Sequence, residues 1–295
     1  MKKMAVVVTY NPDEEVYKNI IKLKKQIEYI LVVDNSSISN RFKLRENGIK
    51  VIYNNQNEGI AKPLNMGIQE ASDEGFDWLF TFDQDSVVTE NFVNNMLETA
   101  KEFQDKEGRF PILISPTYKH PTNGIEYDTA KVSNHSYSMI ETAMTSGNLL
   151  HVNQLVKANV HFRGDFFIDF VDHEFCFHLR KLGYPIIQSF KATLVHSLGE
   201  VTERVIFGKK LSSTNHNPIR RYYITRNRLI VYKEYFGTQK KWIKIDFVNS
   251  IMEIIKIILI EDQKNFKMFN IIRGTKDACL KRMGPYRYTK KKLRD

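Results

Sequence analysis

The sequence has few of the residues and runs that would crosslink the chain, anchor it or let it span a membrane. Its 295 residues include only two cysteines, Cys176 and Cys279, which excludes a disulfide framework and a cysteine-based zinc site. The apolar run Met4–Val8 is too short for the core of a signal peptide, and charged residues interrupt the run Ile251–Ile260. We therefore expect a protein of the reducing cytoplasm without a membrane-spanning helix.

Acidic residues are scarce relative to basic ones. Lysine and arginine number 44 against 34 aspartate and glutamate residues, which gives a net charge of +10 at pH 7. Such a surface attracts the phosphates of a nucleotide, a nucleic acid or an anionic lipid. Because 42% of the residues are hydrophobic, the chain can still bury a full core, and we expect a folded globular protein.

Short β-branched runs alternate with longer helical patterns in the first part of the chain. Strands are predicted over Met4–Thr9, Tyr29–Asp34, Lys50–Asn54 and Trp78–Phe82, and helices over Glu14–Gln26 and Ala61–Asp73. This alternation predicts an α/β fold whose mostly parallel sheet is flanked by helices. Ligands of such sheets bind beyond the carboxyl ends of the strands, and each predicted strand here is followed by polar residues.

Two carboxylates end the apolar strand in the segment LFTFDQDS. Asp83 and Asp85 are one residue apart, and two such groups repel each other unless a cation or solvent lies between them. Mg²⁺ and Mn²⁺ prefer oxygen ligands together with substrate phosphates. The pair is therefore a candidate metal and nucleotide site, although a solvated strand end is the simpler interpretation of an isolated pair of this kind.

Six motifs follow one another along the chain: VVVTYN, VVDNSS, NEGIAKPLNMGI, FDQDS, TSGNLL and FFIDFVDHEFCFHLRKLGYPI. In this order they resemble family 2 glycosyltransferases of the GT-A fold, most of all the bacterial rhamnosyltransferases that build surface polysaccharides. The likeness implies a GT-A catalytic domain over residues 1–217, with a donor half at 1–110 and an acceptor half at 111–217, and a mostly parallel mixed sheet. A basic C-terminal helical region at 218–295 would follow.

The resemblance implies a nucleotide-sugar site at the strand ends, with Mg²⁺ or Mn²⁺ as cofactor. The nucleotide base would contact Thr9, Tyr10 and Asp34, and the loop-to-helix junction would add Asn57 and Gly59 to the donor site. Asp83 would bind the ribose or the metal, and Asp85 and His196 would bind the metal. The diphosphate would be held by Arg220, Tyr223 and Arg226. Ordinary structural roles remain open for all of these. Asp34 would be a turn aspartate, His196 a hydrogen-bonded histidine and the arginines solvated helix charges.

A second acidic centre lies in the segment FFIDFVDHEF. Asp172 matches the catalytic aspartate of the family, which implies a general base for a direct, inverting displacement. The residues implied at the acceptor are Ser146, Gly147, Asn148 and Asp169. Val171 stands where the family usually carries an acid, so a helix-capping role for the two aspartates of this segment remains open.

The likeness implies transfer of L-rhamnose from dTDP-β-L-rhamnose to a lipid-linked saccharide, by an enzyme held peripherally at the inner face of the cell membrane. A UDP-hexose donor and a non-catalytic nucleotide-sugar or polysaccharide-binding protein remain open. Nucleic acid is not expected as a partner, because carboxylates at successive strand ends would repel its backbone.

A C-terminal apolar stripe recurs at helical spacing. It consists of Trp242, Ile245, Val248, Met252, Ile255 and Leu259. The pattern slightly favours packing within the chain or on a second copy in a homodimer over contact with a membrane surface.

Overall fold

The computed structural model describes residues 1–37, 44–119, 136–196, 202–206 and 209–288. The chain divides into two compact units, Met1–Arg163 with Val171–Gly199 and Gly164–Phe170 with Glu200–Asp295. Within the described ranges, every helix is too short or too polar to cross a membrane.

The first unit contains the elements that carry most of the predicted site residues. Its strands are β1 (Lys3–Thr9), β2 (Tyr29–Asp34), β3 (Lys50–Tyr53), β4 (Trp78–Asp83), β5 (Val87–Val88), β6 (Leu113–Lys119), β7 (Tyr137–Met139), β8 (Leu149–His151) and β9 (Ile186–Val195). Its helices are α1 (Glu14–Lys24), α2 (Ala61–Asp73), α3 (Phe92–Glu107), α4 (Val152–Ala158) and α5 (Val171–Lys181).

These strands form one sheet in the order β3-β2-β1-β4-β8-β6-β9-β5, and β7 adds to β9. β2 and β4 flank β1 and run parallel to it, and β3 runs parallel to β2. β8 is antiparallel to both β4 and β6, so the sheet becomes mixed beyond β4. The predicted α/β class with a largely parallel sheet and flanking helices is confirmed.

Local patterns predicted most element bounds in this part of the chain. β2 and α2 have the predicted bounds, β3 ends one residue early at Tyr53, and β4 continues to Asp83. α1 ends at Lys24 instead of Gln26, because the backbone N–H of Lys25 bonds Lys22 in a tighter final turn. The strands are apolar because both faces of the parallel part of the sheet are covered.

Helix α2 packs closely on the central strand β1. Leu64 and Ile68 are buried on the sheet side of the helix. Between them, a Cβ atom added to Gly67 would lie 2.7 Å from Cβ of Val6. The glycine therefore allows a helix-to-strand approach that any side chain would prevent.

We expect Gly67→Ala to destabilise the protein by about 1–3 kcal/mol, because the new methyl group overlaps Val6 on a strand that cannot easily move. Thermal and urea unfolding measure this loss. Gly237→Ala is the matched control, since nothing lies within 4 Å of its added Cβ. A Gly67→Ala protein that is as stable as the control would contradict the close approach of α2 and β1.

The second unit contains a hairpin of β10 (Thr202–Ile206) with β11 (Lys209–Ser213) and three helices, α6 (Pro218–Tyr235), α7 (Lys240–Ile260) and α8 (Lys264–Cys279). A buried ion cluster joins them. Glu261 lies 2.6 Å from Nη2 of Arg221 and 2.8 Å from Nζ of Lys267. Burial opposes ionisation of Glu261, but hydrogen bonds from Lys267 and Ser213 outweigh it and lower the pKa of its carboxyl.

The apolar stripe of α7 lies on the surface. Trp242 is half-buried, but the exposed fractions of the others are 55% for Ile245, 58% for Val248, 50% for Met252, 40% for Ile255 and 45% for Leu259. The expectation of packing within the chain is therefore wrong for these five residues. The two acids of α7, Asp246 and Glu253, instead pair with Arg228 of α6 at 3.0 and 3.1 Å.

Candidate functional site

Strand pairing brings His196 to the two carboxylates of the first acidic centre. β4 ends at Asp83, and Asp85 lies in the turn that leads into β5. β5 then pairs with the end of β9, so that Val87 lies opposite Val195. His196 follows Val195 directly and therefore arrives beside the turn, although 110 residues separate it from Ser86.

The three side chains form a compact cluster. One ligand atom from each of Asp83, Asp85 and His196 lies within 4.8 Å of the other two. Nδ1 of His196 is 3.3 Å from Oδ1 of Asp85 and 3.1 Å from Oγ of Ser86. Burial acts to lower the pKa of His196, but the hydrogen bond to Asp85 and the charges of both carboxylates outweigh it and raise the pKa.

The chemistry of this cluster fits a divalent cation. Two carboxylates and an imidazole are ligands that Mn²⁺ accepts, and the oxygen-rich set also suits Mg²⁺. The side chain of Asp85 is 48% exposed, so the cluster is open on the side from which phosphate oxygens and water would complete the coordination. The structure thus brings together the three residues that the resemblance assigned to the metal.

The segment 142–148 holds in place the turn that carries Asp83 and Asp85. The backbone N–H of Asp83 donates to Oγ of Ser146 at 3.0 Å, and the hydroxyls of Ser146 and Ser86 are 2.6 Å apart. Gly147 has φ +80°, and a Cβ there would lie 2.8 Å from both Pro116 and Leu194. Ser146, Gly147 and Asn148, predicted at the acceptor, are therefore buried residues that fix the turn carrying Asp83.

A small pocket lies at the ends of β1 and β2, where the resemblance implied the nucleotide base. Asp34 and Thr9 line it together with apolar and aromatic side chains that include Tyr17 and Tyr53. Oδ1 of Asp34 accepts bonds from the hydroxyl of Thr9 at 3.2 Å and from that of Ser36 at 2.6 Å. The carboxylate is therefore held in place in a small pocket whose other lining residues are mostly apolar or aromatic.

The remaining residues predicted near the donor lie at neighbouring loop positions. Tyr10 is 49% exposed, and its backbone N–H donates to Gln84 between the two site aspartates. Gly59 has φ +73°, its N–H donates to Oδ1 of Asn57, and its carbonyl accepts from Asn35 beside Asp34. Asn57 thus stabilises a tight turn before α2, which is the structural role left open for it.

Asp172 lies in the first turn of α5, at the positive end of the helix dipole. Its Oδ1 accepts the backbone N–H of His173 at 2.8 Å. The same helix is tied to the segment 142–148, because Nδ1 of His173 lies 2.6 Å from the hydroxyl of Thr142. One short segment therefore contacts both the helix of Asp172 and the turn of Asp83 within the first unit.

Asp169 belongs to the second unit and lies in strained backbone. Phe167, Asp169 and Phe170 have φ values of +69°, +60° and +63°, a region that residues with a side chain rarely adopt. Nε of Arg220 donates to the carboxylate of Asp169 at 3.0 Å. Arg220, expected at the diphosphate, is therefore paired with the carboxylate expected at the acceptor.

Arg226 and Tyr223, also expected at the diphosphate, are buried beneath this strained segment. Arg226 has no exposed surface, and its Nη2 donates to the carbonyl of Phe166 at 2.9 Å. Its guanidinium lies 5.1 Å from the ring centroid of Tyr223, which stacks on Phe167. These contacts give both residues a supporting role beneath the segment 164–170.

Sequence reasoning missed three residues that order the site: Ser86, Thr142 and Asn227. Ser86 stands inside the FDQDS motif, but its hydroxyl matters only once β9 delivers His196. Nδ2 of Asn227 donates to the carbonyls of Phe166, Ile168 and Asp169 at 3.1, 2.8 and 2.8 Å. Its place next to Arg226 in a charged helical pattern gave no signal of this contact.

Comparison with solved structures identifies the fold class of this chain. Two solved structures share the fold. S. aureus TarS (residues 1–349) has a TM-score of 0.53 and 15% identity, covering 94% of this chain and 81% of that chain. GalNAc-T7, solved with UDP, GalNAc and Mn²⁺, has a TM-score of 0.59 and 11% identity, covering 95% of this chain and 57% of that chain. The fold is that of the GT-A transferases.

Sequence comparison finds a matching family model and a similar relative. Residues 4–107 match Glycosyl transferase family 2. The dTDP-rhamnosyl transferase RfbF of Shigella flexneri is 27% identical over 242 residues, which cover 78% of this chain and 79% of the relative. Residues 4–107 are thus similar to the glycosyl transferase family 2 domain, and the predicted resemblance to bacterial rhamnosyltransferases is confirmed.

We expect Asn227→Ala to destabilise the second unit by about 1–3 kcal/mol, because its removal leaves buried carbonyls of the strained segment without a donor. Urea unfolding measures the loss. Asn270→Ala is the matched control: Asn270 is also a buried helical asparagine, but its amide makes a single bond, to Phe266, and its Oδ1 has no partner. Equal losses in the two variants would contradict a special role for Asn227.

Proposed function

We propose that this chain is an inverting glycosyltransferase that moves L-rhamnose from dTDP-β-L-rhamnose to a hydroxyl of a lipid-linked saccharide. The observation that carries the proposal is the cluster of Asp83, Asp85 and His196, whose ligand atoms lie within 4.8 Å of one another. Such a cluster suits a cation-bound diphosphate. The likeness to RfbF, a dTDP-rhamnosyl transferase, supports the choice of donor.

The donor base would occupy the pocket of Thr9 and Asp34, with Tyr10 at its exposed edge. The free lone pairs of the Asp34 carboxylate would accept the N3–H that thymine and uracil share, while the apolar walls would cover the ring. Asn57 and Gly59 would shape the adjoining loop. In this proposal, residues 1–110 bind the donor, 111–217 the acceptor, and 218–295 form a basic helical region.

Asp83, Asp85 and His196 would hold Mg²⁺ or Mn²⁺ against the diphosphate. When bound, the cation would offset the negative charge that grows on the leaving nucleotide. The buried hydroxyls of Ser146 and Ser86 keep the turn and the imidazole in place, so the ligands need little rearrangement. This preorganisation is the contribution of the protein to the electrostatic effect.

Asp172 would act as the general base. Its carboxylate would take the proton of the acceptor hydroxyl while the acceptor oxygen forms a bond to the anomeric carbon of the sugar. The bond from that carbon to the diphosphate oxygen breaks on the opposite side, and its electron pair leaves with the nucleotide. One displacement of this kind inverts the anomeric centre without a covalent enzyme intermediate.

Asp169 and Arg220 would serve the acceptor as a paired unit. The guanidinium holds the carboxylate in a fixed direction, and such a carboxylate can accept bonds from sugar hydroxyls. The buried Arg226 and Tyr223 would keep the segment 164–170 in its strained form. We propose a location at the cytoplasmic face of the membrane, where a lipid-linked acceptor would be found.

A donor panel with thermal shift and turnover as readouts tests the donor and the metal together. With Mg²⁺ or Mn²⁺ present, dTDP-rhamnose should raise the melting temperature and be consumed, whereas UDP-hexoses should not. EDTA should abolish turnover, and Asp85→Asn should raise the metal concentration needed for half-maximal rate by about tenfold or more. Preference for a UDP-hexose would overturn the rhamnose assignment, and full activity in EDTA would overturn the metal.

Asp172→Asn tests the base. Because the amide oxygen can still accept the N–H of His173, the variant should fold and bind donor normally, while kcat falls by a factor of about 10² to 10⁴. Asp105→Asn, an exposed substitution on α3, is the control and should retain full turnover. Unchanged kcat in Asp172→Asn would remove this residue from the mechanism.

A non-catalytic nucleotide-sugar-binding protein is the second candidate function, and Val171 favours it because the family usually carries an acid at that position. This alternative requires donor binding by wild-type protein without transfer or hydrolysis under any metal condition. Turnover that is lost in Asp172→Asn would exclude it.

A further inference from the structure

A basic cavity of about 710 Å³ lies beside α8 in the second unit. Its size would admit a phosphorylated head group. The cations that line it are Arg273, Lys276, Lys281, Arg282 and Arg287, and Asp277 is the one acid among its described lining residues.

The acid in this lining is already engaged by neighbouring groups. The hydroxyl of Tyr222 donates to Asp277 at 2.9 Å, and Nη1 of Arg282 lies 3.8 Å from the same carboxylate. The guanidinium of Arg273 lies 4.2 Å from the ring centroid of Tyr286 and donates to the carbonyl of Arg287. The cavity therefore presents an excess of positive charge, part of it held in a fixed orientation.

Exposed apolar side chains border the same cavity. Phe269 and Ile272 both line it, and their exposed fractions are 59% and 66%. Phe266 continues this surface one turn earlier on α8 and is 68% exposed. Large apolar side chains beside lysine and arginine are suited to an anion that carries hydrocarbon chains, such as a phospholipid. Free phosphate would contact the cations but not the apolar side chains.

Helix α7 repeats this chemistry. Its exposed face combines the apolar stripe with Lys241 and Lys244 at one end, whereas Asp246 and Glu253 pair with Arg228 on the other side. The two acids of α7 are therefore paired with α6, with side-chain exposures of 17% for Asp246 and 40% for Glu253. The exposed face of α7 therefore offers apolar and cationic side chains together, as a surface for an anionic bilayer requires.

We propose that the second unit binds the surface of a bilayer that contains anionic phospholipids, with head-group phosphates in the α8 cavity and Phe269 and Ile272 in the boundary between head groups and acyl chains. This inference gives a chemical basis to the membrane location in the proposed function. The inference depends neither on the identity of the sugar donor nor on Asp172 as the general base.

Co-sedimentation of the full-length chain with lipid vesicles tests this inference. The protein should bind vesicles of phosphatidylcholine with phosphatidylglycerol, bind phosphatidylcholine alone much more weakly, and dissociate as salt is raised. Each cation removed should weaken binding roughly fivefold, so Lys276→Gln with Lys281→Gln should cost about 25-fold. Phe269→Ser should also weaken binding, because it removes apolar area from the boundary.

The control pair is Lys18→Gln with Lys22→Gln, which removes the same charge from exposed positions on α1. Equal vesicle binding by the two double variants, or equal binding to both vesicle types, would overturn the proposal. So would dimerisation that Phe269→Ser abolishes, or inorganic diphosphate binding in the cavity without vesicle binding. The thermal shift with dTDP-rhamnose should be unchanged in Lys276→Gln with Lys281→Gln, which separates failure of this inference from failure of the proposed activity.

Discussion

The pairing of β5 with β9 is the constraint on which the acidic site depends. The two-residue strand β5 begins at Val87, directly after Ser86, and pairs with the last residues of β9, so one short ladder sets the distance from His196 to both carboxylates. Without it, Asp83 and Asp85 would be two like charges at a solvated strand end. The imidazole of His196 contacts both Asp85 and Ser86 and adds a third candidate ligand atom to the two carboxylates.

A second constraint comes from the segment 142–148, which works as a brace inside the first unit. It contacts α5 through Thr142 and the acidic turn through Ser146, and Gly147 lets it pass between Pro116 and Leu194. A displacement of α5 would therefore also shift the turn that carries Asp83. Residues predicted to touch the acceptor thus have a structural connection to both acidic centres.

The sequence predicted what depends on local periodicity and motif order. β2 and α2 have the predicted bounds, and the motifs predicted the fold and the resemblance to family 2 glycosyltransferases. The burial of Arg226 could not be predicted, because its guanidinium donates to carbonyls of Asp165 and Phe166 about sixty positions earlier in the chain and of Gly284 58 positions later. The exposure of the α7 stripe could not be predicted either. An apolar helical face has the same sequence pattern whether it packs on a core, on a second copy or on a lipid surface.

The separation between Ser86 and His196 has a consequence for biosynthesis. A ribosome must add 110 residues after the serine to reach the histidine, so until then a nascent chain carries the two strand-end carboxylates without the imidazole. The cluster of Asp83, Asp85 and His196 exists only in molecules whose first unit has folded. Divalent-cation affinity at this cluster would then report native assembly directly, and a truncated or misassembled chain would be distinguishable by its failure to retain the ion.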